Sequence, residues 1–535
     1  MRKAYINGKF YVNEGEFVQA ALVVDGKFSL VGTTAEVLQS AAGCEVIDLG
    51  GRTVLPGFND SHMHLYNLGV LLNSLNLSGC KSISDCIAAG QAFLQEKNVP
   101  IGRLIIGFLW DQENFIDEGR YPNRHDLDKI SKHHPIVARR SCGHIVSCNS
   151  LALKIANIDA NTEVPAGGEI YCDEDGLPNG VLTENAIDLL KDLMAPPIVD
   201  EMAAIIKAAM DYAVSHGITS VQTNDIRDDN WPNMLAAYNQ LYDSNQAVLR
   251  TYHQCYFTDV TGFKDFIAAG YTTGRGDDMH KIGPLKKFAD GSLGGWTAAM
   301  RQPYNDAPHT KGLYTLTEEH LDEMVQTAND NQMSCVVHAI GDGAMDLVLK
   351  SFEKVITNGH NPNRHGIIHC QITDMSILER MRDSDVLALV QPIFLHTDMK
   401  MLESRVGAEL ARTSYAWATM DKLGIHASYG TDAPVEDIST MDNLHCAVNR
   451  QDLNAQPPGG YNPAECVSLA AAIDNYTVES AYTSFEEDKK GRIIVGHLAD
   501  MCVLDKDIFT IDPADIRHVQ VKMTILGGQI VYTRK

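Results

Sequence analysis

His62 and His64 stand two residues apart in VLPGFNDSHMHL (54–65). On an extended strand, residues i and i+2 point to one face, so both imidazoles can reach a single ion at a strand end. The same spacing also fits polar residues in a turn, and 20 histidines make chance pairs common. Two more histidines shift the balance, because His338 closes the apolar run SCVVHA and His369 closes GIIHC. Asp432 follows in SYGTDAP, where a buried carboxylate without a cation is costly. It reads either as a turn-initiating Asp before Ala-Pro or, beside a metal, as ligand and general base. In the second role one oxygen holds the ion and the other takes a proton from water.

Lys286 lies in GPLKKFADG (283–291), where alternation puts Lys286, Phe288 and Asp290 on one face and Lys287 on the other. An ammonium offers donors only and cannot ligate a cation. To serve as a ligand, Lys286 must combine with CO2 as a carbamate, whose two oxygens can bridge two metals. The alternative is an ion pair between Lys286 and Asp290.

Residues so far apart in sequence need a scaffold that gathers them. Eight compact apolar runs supply one: 54–65, 217–225, 248–257, 283–291, 334–342, 366–371, 386–392 and 426–434. Helix-length connections between them predict an α/β fold, a (β/α)8 TIM barrel, whose working residues gather at the C-terminal strand ends. The expected barrel covers 56–490, with an insertion at about 70–200 after the first strand, placed to cover the mouth. Residues 1–55 and 491–535 read instead as short strands joined by Asn7-Gly8, Asp25-Gly26 and Gly-Gly turns. They are expected to form one composite β-sandwich, with a hairpin starting at Asn7-Gly8.

A chain of 535 residues has room for a barrel of roughly 250 residues plus smaller domains. The formal charge of −25 argues against nucleic acid or an anionic membrane as partner, since both require clustered Lys and Arg. The 12 cysteines show no disulfide-scaffold spacing and read as reduced core thiols. With no secretory leader and no membrane-length apolar stretch, the expected location is the cytoplasm. The expected partner is a small molecule; a homodimer is compatible with the sequence, which does not define an oligomeric state.

The order H-x-H, Lys, His, His, Asp, set in LPGFNDSHMHL, LKKFADGS, VVHAIGDGAMD, GIIHCQ and GTDAPV, resembles the amidohydrolase superfamily. More narrowly, the chain is similar to amidohydrolase family 3, the group that includes N-substituted formamide deformylase. GRIIVGHLADMCVLD resembles that group's return to the small β domain. GHIVSCNSLAL (143–153) and GGEIYCDEDGLPNGVL (167–182) match its insertion. The resemblance implies that His62 and His64 ligate the more buried metal and that His338 and His369 ligate a second. Lys286 would bridge them as a carbamate, with Asp432 as ligand and base.

The implied activity is hydrolysis of a non-peptide C–N bond, in an amide or N-substituted formamide, by metal-activated water. His338 or the second metal would polarise the carbonyl. Zn2+, one or two per chain, suits nitrogen and carboxylate ligands, and Fe, Mn, Co and Ni remain compatible. Trp110, Asp111, His144, Asp290, Trp296 and Gln391 are candidates for substrate contact, and each could equally brace a loop. Two other readings are a cyclic amidohydrolase or deaminase on the same metal centre and a non-catalytic regulatory protein on an amidohydrolase scaffold. The second predicts missing ligands, and none is missing.

Overall fold

In the computed structural model, which describes residues 2–116, 118–194 and 197–535, each of the eight apolar runs overlaps one strand of a single parallel sheet. They are β1 (Phe58–Met63), β2 (Ile218–Arg227), β3 (Arg250–Tyr256), β4 (His280–Phe288), β5 (Cys335–Ala339), β6 (Gly366–His369), β7 (Leu387–Val390) and β8 (Ala427–Tyr429). Neighbours in the sheet follow chain order from β1 to β8. Strands covered on both faces are apolar almost throughout, and β2 is buried from Ile218 to Ile226. Register puts Phe288 opposite His338 and Ala339 opposite His369, so the ends of β4, β5 and β6 are nearly level. Past the last ladder pair, Asp432 N–H donates to the His62 carbonyl at 2.8 Å, and His64 N–H donates to the Ala433 carbonyl at 2.8 Å. These two bonds join the β8 side to β1 and complete the (β/α)8 TIM barrel.

Helices Trp231–Asp243, Val260–Ala268, Glu318–Asp330, Asp342–Glu353 and Met375–Asp383 return the chain between strands. Asp259, Thr317 and Asp374 cap three of them by accepting first-turn N–H groups.

The two ends of the chain pair with each other. Thr53–Pro56 runs antiparallel to Met501–Leu504, with Val54 opposite Val503, inside a six-stranded sheet. A four-stranded sheet completes a small β-sandwich, and Tyr5, Phe10, Val23, Val54, Met501 and Ile525 share its core. Asp25 and Gly26, at φ 49° and 81°, close a true hairpin between Ala20–Val24 and Lys27–Gly32. The hairpin expected at Asn7-Gly8 does not form. Arg2–Ile6 pairs with Ala20–Val24 and Glu45–Asp48, whereas Lys9–Asn13 pairs in the other sheet. Asn7, at φ 52°, turns the chain between sheets, so that Tyr5 and Phe10 enter the same core from opposite layers. A Cβ on Gly8 would lie 2.6 Å from the Phe10 ring, so this corner requires glycine.

Residues 68–208 form a separate compact unit. It has its own six-stranded sheet, with order Gly168–Cys172, Pro178–Glu184, Ile145–Cys148, Ile136–Arg140, Ile105–Trp110 and Leu75–Asn76. Leu75, Ile105, Trp110, Leu127 and Ile136 belong to its core.

All 12 cysteines are free, but Cys142 and Cys172 are exposed and so are not core thiols. Both lie at polar segments of residues 68–208 rather than in its apolar runs. No helix among the described residues is long and apolar enough to cross a membrane.

Candidate metal centre

His62 lies within β1 and His64 one residue past its end, and both Nε2 atoms turn toward one carboxylate oxygen. His62 Nε2 is 3.4 Å and His64 Nε2 3.2 Å from Asp432 Oδ1. That oxygen is buried and accepts no hydrogen bond, and Asp432 as a whole is 6% exposed. A tetrahedral ion with metal–nitrogen and metal–oxygen bonds of about 2.0–2.2 Å separates its ligands by about 3.3–3.5 Å. The donor atoms therefore have the types and spacing of a shared coordination shell. His62, His64 and Asp432 are the one such cluster among the described residues.

Local hydrogen bonds hold this seam. Asp60 on β1 accepts from Thr431 Oγ1 at 2.6 Å and from the N–H groups of His62 and Thr431. Burial pushes its carboxyl up to about 7, against the opposing pull of those bonds. A Cβ on Gly430 would approach His62 N to 2.7 Å, so the chain just past β8 can come this close to β1 only with glycine there. Asp432 itself takes φ 57°, in the left-handed region, and His369 takes φ 75°. Such backbone persists where the surroundings over-determine it. On β2, Thr223 Oγ1 accepts from Leu65 N–H at 2.8 Å and Asp225 accepts from Tyr66 N–H, fixing the chain directly after His64.

Two glutamines orient the rings. Gln254 Oε1 is 2.6 Å from His62 Nδ1, and Gln391 Oε1 is 2.7 Å from His369 Nδ1. An amide oxygen is an acceptor, so each Nδ1 carries the proton and each Nε2 keeps its lone pair for the site. Burial first, and then the charges of Lys286, His64 and His369, hold His62 well below the ordinary imidazole range. Burial first, then His338 and Lys286, does the same to His369. Both are thus neutral, the form that binds metals.

Lys286 is fully buried, with Nζ 3.3 Å from His62 Nε2. Burial draws its ammonium down to about 7, with the Asp432 charge opposing and the Arg227 charge adding to the shift. The alternation is as expected, since Lys287 turns the other way and donates to the Phe257 carbonyl at 2.7 Å.

Asp290 does not pair with Lys286. Its carboxylate accepts from Ala299 N–H at 2.9 Å, Gly341 N–H at 2.8 Å and Ile340 N–H at 3.1 Å. His338 Nε2 lies 3.3 Å from Asp290 Oδ1 and 2.9 Å from the Gly291 carbonyl oxygen, and its ring is 4.4 Å from that of His369. His338 is thus beside His369 while its Nε2 is engaged by the chain after β4.

The remaining candidates are held by protein contacts. Gln391 is buried behind His369, and Asp290 is consumed by backbone donors, so neither turns a free group toward a ligand. Trp296 is 39% exposed, donates Nε1–H to Asp306 and lies 3.5 Å under the Arg405 guanidinium. In the separate unit, Trp110 is buried and donates to the Ala138 carbonyl, Asp111 accepts from Arg140, and His144 pairs with Glu184. Gln254 and Asp60 were not singled out from sequence. Gln254 could have been, as a polar residue inside the run VLRTYHQCYF.

A cavity of about 900 Å³ lies away from this cluster, and its basic residues are engaged by the protein, Arg301 by Asp346, Lys350 by Glu318 and Lys311 by the Arg301 carbonyl. The chemistry sits instead where strands end. A parallel barrel with two neutral histidines and a bare carboxylate oxygen at those ends has the build of a metal-dependent hydrolase. The chain belongs to the amidohydrolase family, whose profile matches residues 45–532. It is 31% identical over 549 residues to YtcJ of Bacillus subtilis (strain 168), spanning 100% of both chains. It is 26% identical over 544 residues to the N-substituted formamide deformylase of Arthrobacter pascens, covering 96% of this chain and 95% of that one. Among solved structures it is similar to an uncharacterized metal-dependent hydrolase from Pyrococcus furiosus, with TM-score 0.77, 28% identity, and coverage of 96% and 100%.

Proposed function

We propose that the chain hydrolyses a non-peptide C–N bond, in an amide or N-substituted formamide, with a divalent metal, Zn2+ first, held by His62, His64 and Asp432. The observation that carries this reading is the bare, buried Oδ1 of Asp432 facing the Nε2 atoms of His62 and His64. A divalent ion there supplies Lewis acidity and lowers the pKa of a water it binds toward 7. Asp432 takes a proton from the attacking water and passes it to the leaving nitrogen. The new C–O bond then replaces the broken C–N bond, leaving a carboxylic acid and an amine. In this reading His338 polarises the carbonyl oxygen, which requires its Nε2 to leave the Gly291 carbonyl and Asp290 that engage it.

His369 and Lys286 extend the donor set toward a second ion. A lysine held near 7 is about half amine at neutral pH, the form that attacks CO2; the N–C bond forms and one proton leaves the nitrogen. The carbamate then offers two oxygens where the ammonium offered none.

Metal content of protein purified without added metal, read together with turnover of N-formyl and N-acyl amines, tests the proposal. One or two ions per chain with activity lost in His62→Ala is the expected result. Less than about half an ion per chain, with activity intact in His62→Ala, overturns it. Intact mass in the presence of bicarbonate tests Lys286 separately, an added CO2 being expected and an unmodified lysine in metal-loaded protein contradicting the carbamate.

A further inference from the structure

Arg227 ends β2 at the face where the metal cluster lies. Register aligns Arg227 with Tyr256 on β3 and Tyr256 with Lys286 on β4, so the three share one row across adjacent strands. Its guanidinium lies 5.6 Å from the Tyr256 ring centroid and, among the described residues, makes no ion pair and no side-chain hydrogen bond. Other arginines of the same unit are paired: Arg250 with Asp500, Arg364 with Glu487, Arg380 with Glu353 and Arg405 with Asp306. With 69 acidic side chains against 44 basic ones, carboxylates are abundant in this chain, yet among the described residues none forms an ion pair with Arg227. Leaving a half-buried cation without a counter-charge is costly, and a ligand's anion removes that cost.

Half-buried aromatic rings lead from Arg227 to the metal cluster. Tyr256 and Phe288 centroids are 5.4 Å apart, Phe288 and His338 5.4 Å, and His338 and His369 4.4 Å. Lys286 Nζ lies 4.6 Å from the Phe288 ring, at the cluster's edge. A ligand seated here meets metal donors at one end, apolar rings along its length and a free guanidinium at the other end.

We propose that Arg227 is a specificity-determining residue that binds a substrate carboxylate, so that the compound hydrolysed is an acylated amine carrying a carboxylate, such as an N-formyl or N-acyl amino acid. The inference rests on the proposed hydrolysis and adds the substrate class. A planar guanidinium donates N–H bonds to both carboxylate oxygens in a fork, which fixes the distance from anion to scissile carbonyl. The global charge of −25 does not oppose this, because surface charges are screened beyond about 8 Å at physiological salt while the pair forms in contact.

The test uses full-length, metal-loaded protein and a matched pair, N-formylphenylalanine and N-formylphenethylamine, which differ only in the carboxylate. Wild type is expected to favour the acid in kcat/KM, and Arg227→Met to cut that preference roughly 30- to 1,000-fold, mostly through KM. Arg227→Lys should restore part of it, keeping the charge but not the fork. Absence of a preference for the acid in wild type overturns the inference. So does an equal loss on both compounds in Arg227→Met, and if CO2 is then also missing from Lys286 by mass, Arg227 serves the carbamate instead. Hydrolysis of neither compound by wild type refutes the proposed reaction, and calorimetry with 3-phenylpropionate then decides on Arg227 alone. Binding at least tenfold weaker in Arg227→Met supports the carboxylate site, and equal binding overturns it.

Discussion

Asp432 and Asp290 are both buried aspartates just beyond a barrel strand, each within about 3.4 Å of a histidine Nε2, and they do opposite work. Asp290 accepts three backbone N–H groups from the chain after β4 and β5. Its charge is spent on holding loops and on orienting His338. Asp432 keeps one oxygen bare beside the imidazoles of His62 and His64, and burial holds the first of these well below its ordinary range. The difference shows that an acid near a histidine is defined by its unsatisfied atoms and not by residue type. A carboxylate saturated by amides is a clamp, whereas a bare one needs a cation.

Breaking each aspartate should therefore give different phenotypes. Asp432→Asn removes the base and a charged ligand while leaving the backbone bond from residue 432 to His62, so activity should fall roughly 10²- to 10⁴-fold with the thermal midpoint of metal-free protein little changed. Steady-state kinetics and thermal unfolding read this directly, and near-full activity would end the comparison. Asp290→Asn should instead cost about 2–4 kcal/mol of stability in urea unfolding, because an amide NH2 would face backbone donors that now find oxygen. An unchanged unfolding midpoint would show that Asp290 is no clamp.

A smaller effect sharpens the account at His62. Gln254→Leu removes the partner of His62 Nδ1 and frees the ring to change tautomer or rotate. Metal affinity, measured by competition with a chelator, should weaken about 10- to 100-fold while secondary structure is retained. An unchanged affinity would mean that the ring is held by packing alone.

A pH-dependent effect concerns Lys286. Its folded-state pKa is depressed from 10.5 to about 7, so between those values the unfolded chain binds more protons than the folded one. Stability contributed through this group thus rises with pH from about 7 toward 10.5, at up to about 1.4 kcal/mol per pH unit, and is lost as pH falls through that window. In metal-free protein kept free of CO2, wild type should gain stability relative to Lys286→Met over this range. Parallel pH profiles would contradict the depressed pKa.

Much of this arrangement was legible in the sequence because it rests on local patterns. Apolar runs in eight places mark the barrel strands, and alternation separates Lys286 from Lys287 correctly. His62, His64 and Asp432 could be named because strand ends are where a barrel exposes side chains. Pairing partners were harder to read. Asn7-Gly8 and Asp25-Gly26 both supply positive φ, but one crosses between sheets and the other closes a hairpin, a choice made by which layer buries Phe10. Gln391 read as a candidate for substrate contact, although its amide oxygen faces His369 from behind. The alternative reading paired Asp290 with Lys286, although backbone amides from two other segments reach it first. Such satisfaction depends on contacts from distant segments, which no local pattern encodes.

Anomalous diffraction at the metal edge, on crystals of protein loaded with one equivalent of Zn2+, tests the central claim most directly. A peak is expected about 2.0–2.2 Å from His62 Nε2, His64 Nε2 and Asp432 Oδ1. A peak at His338 and Asp290 with none at Asp432 would contradict it.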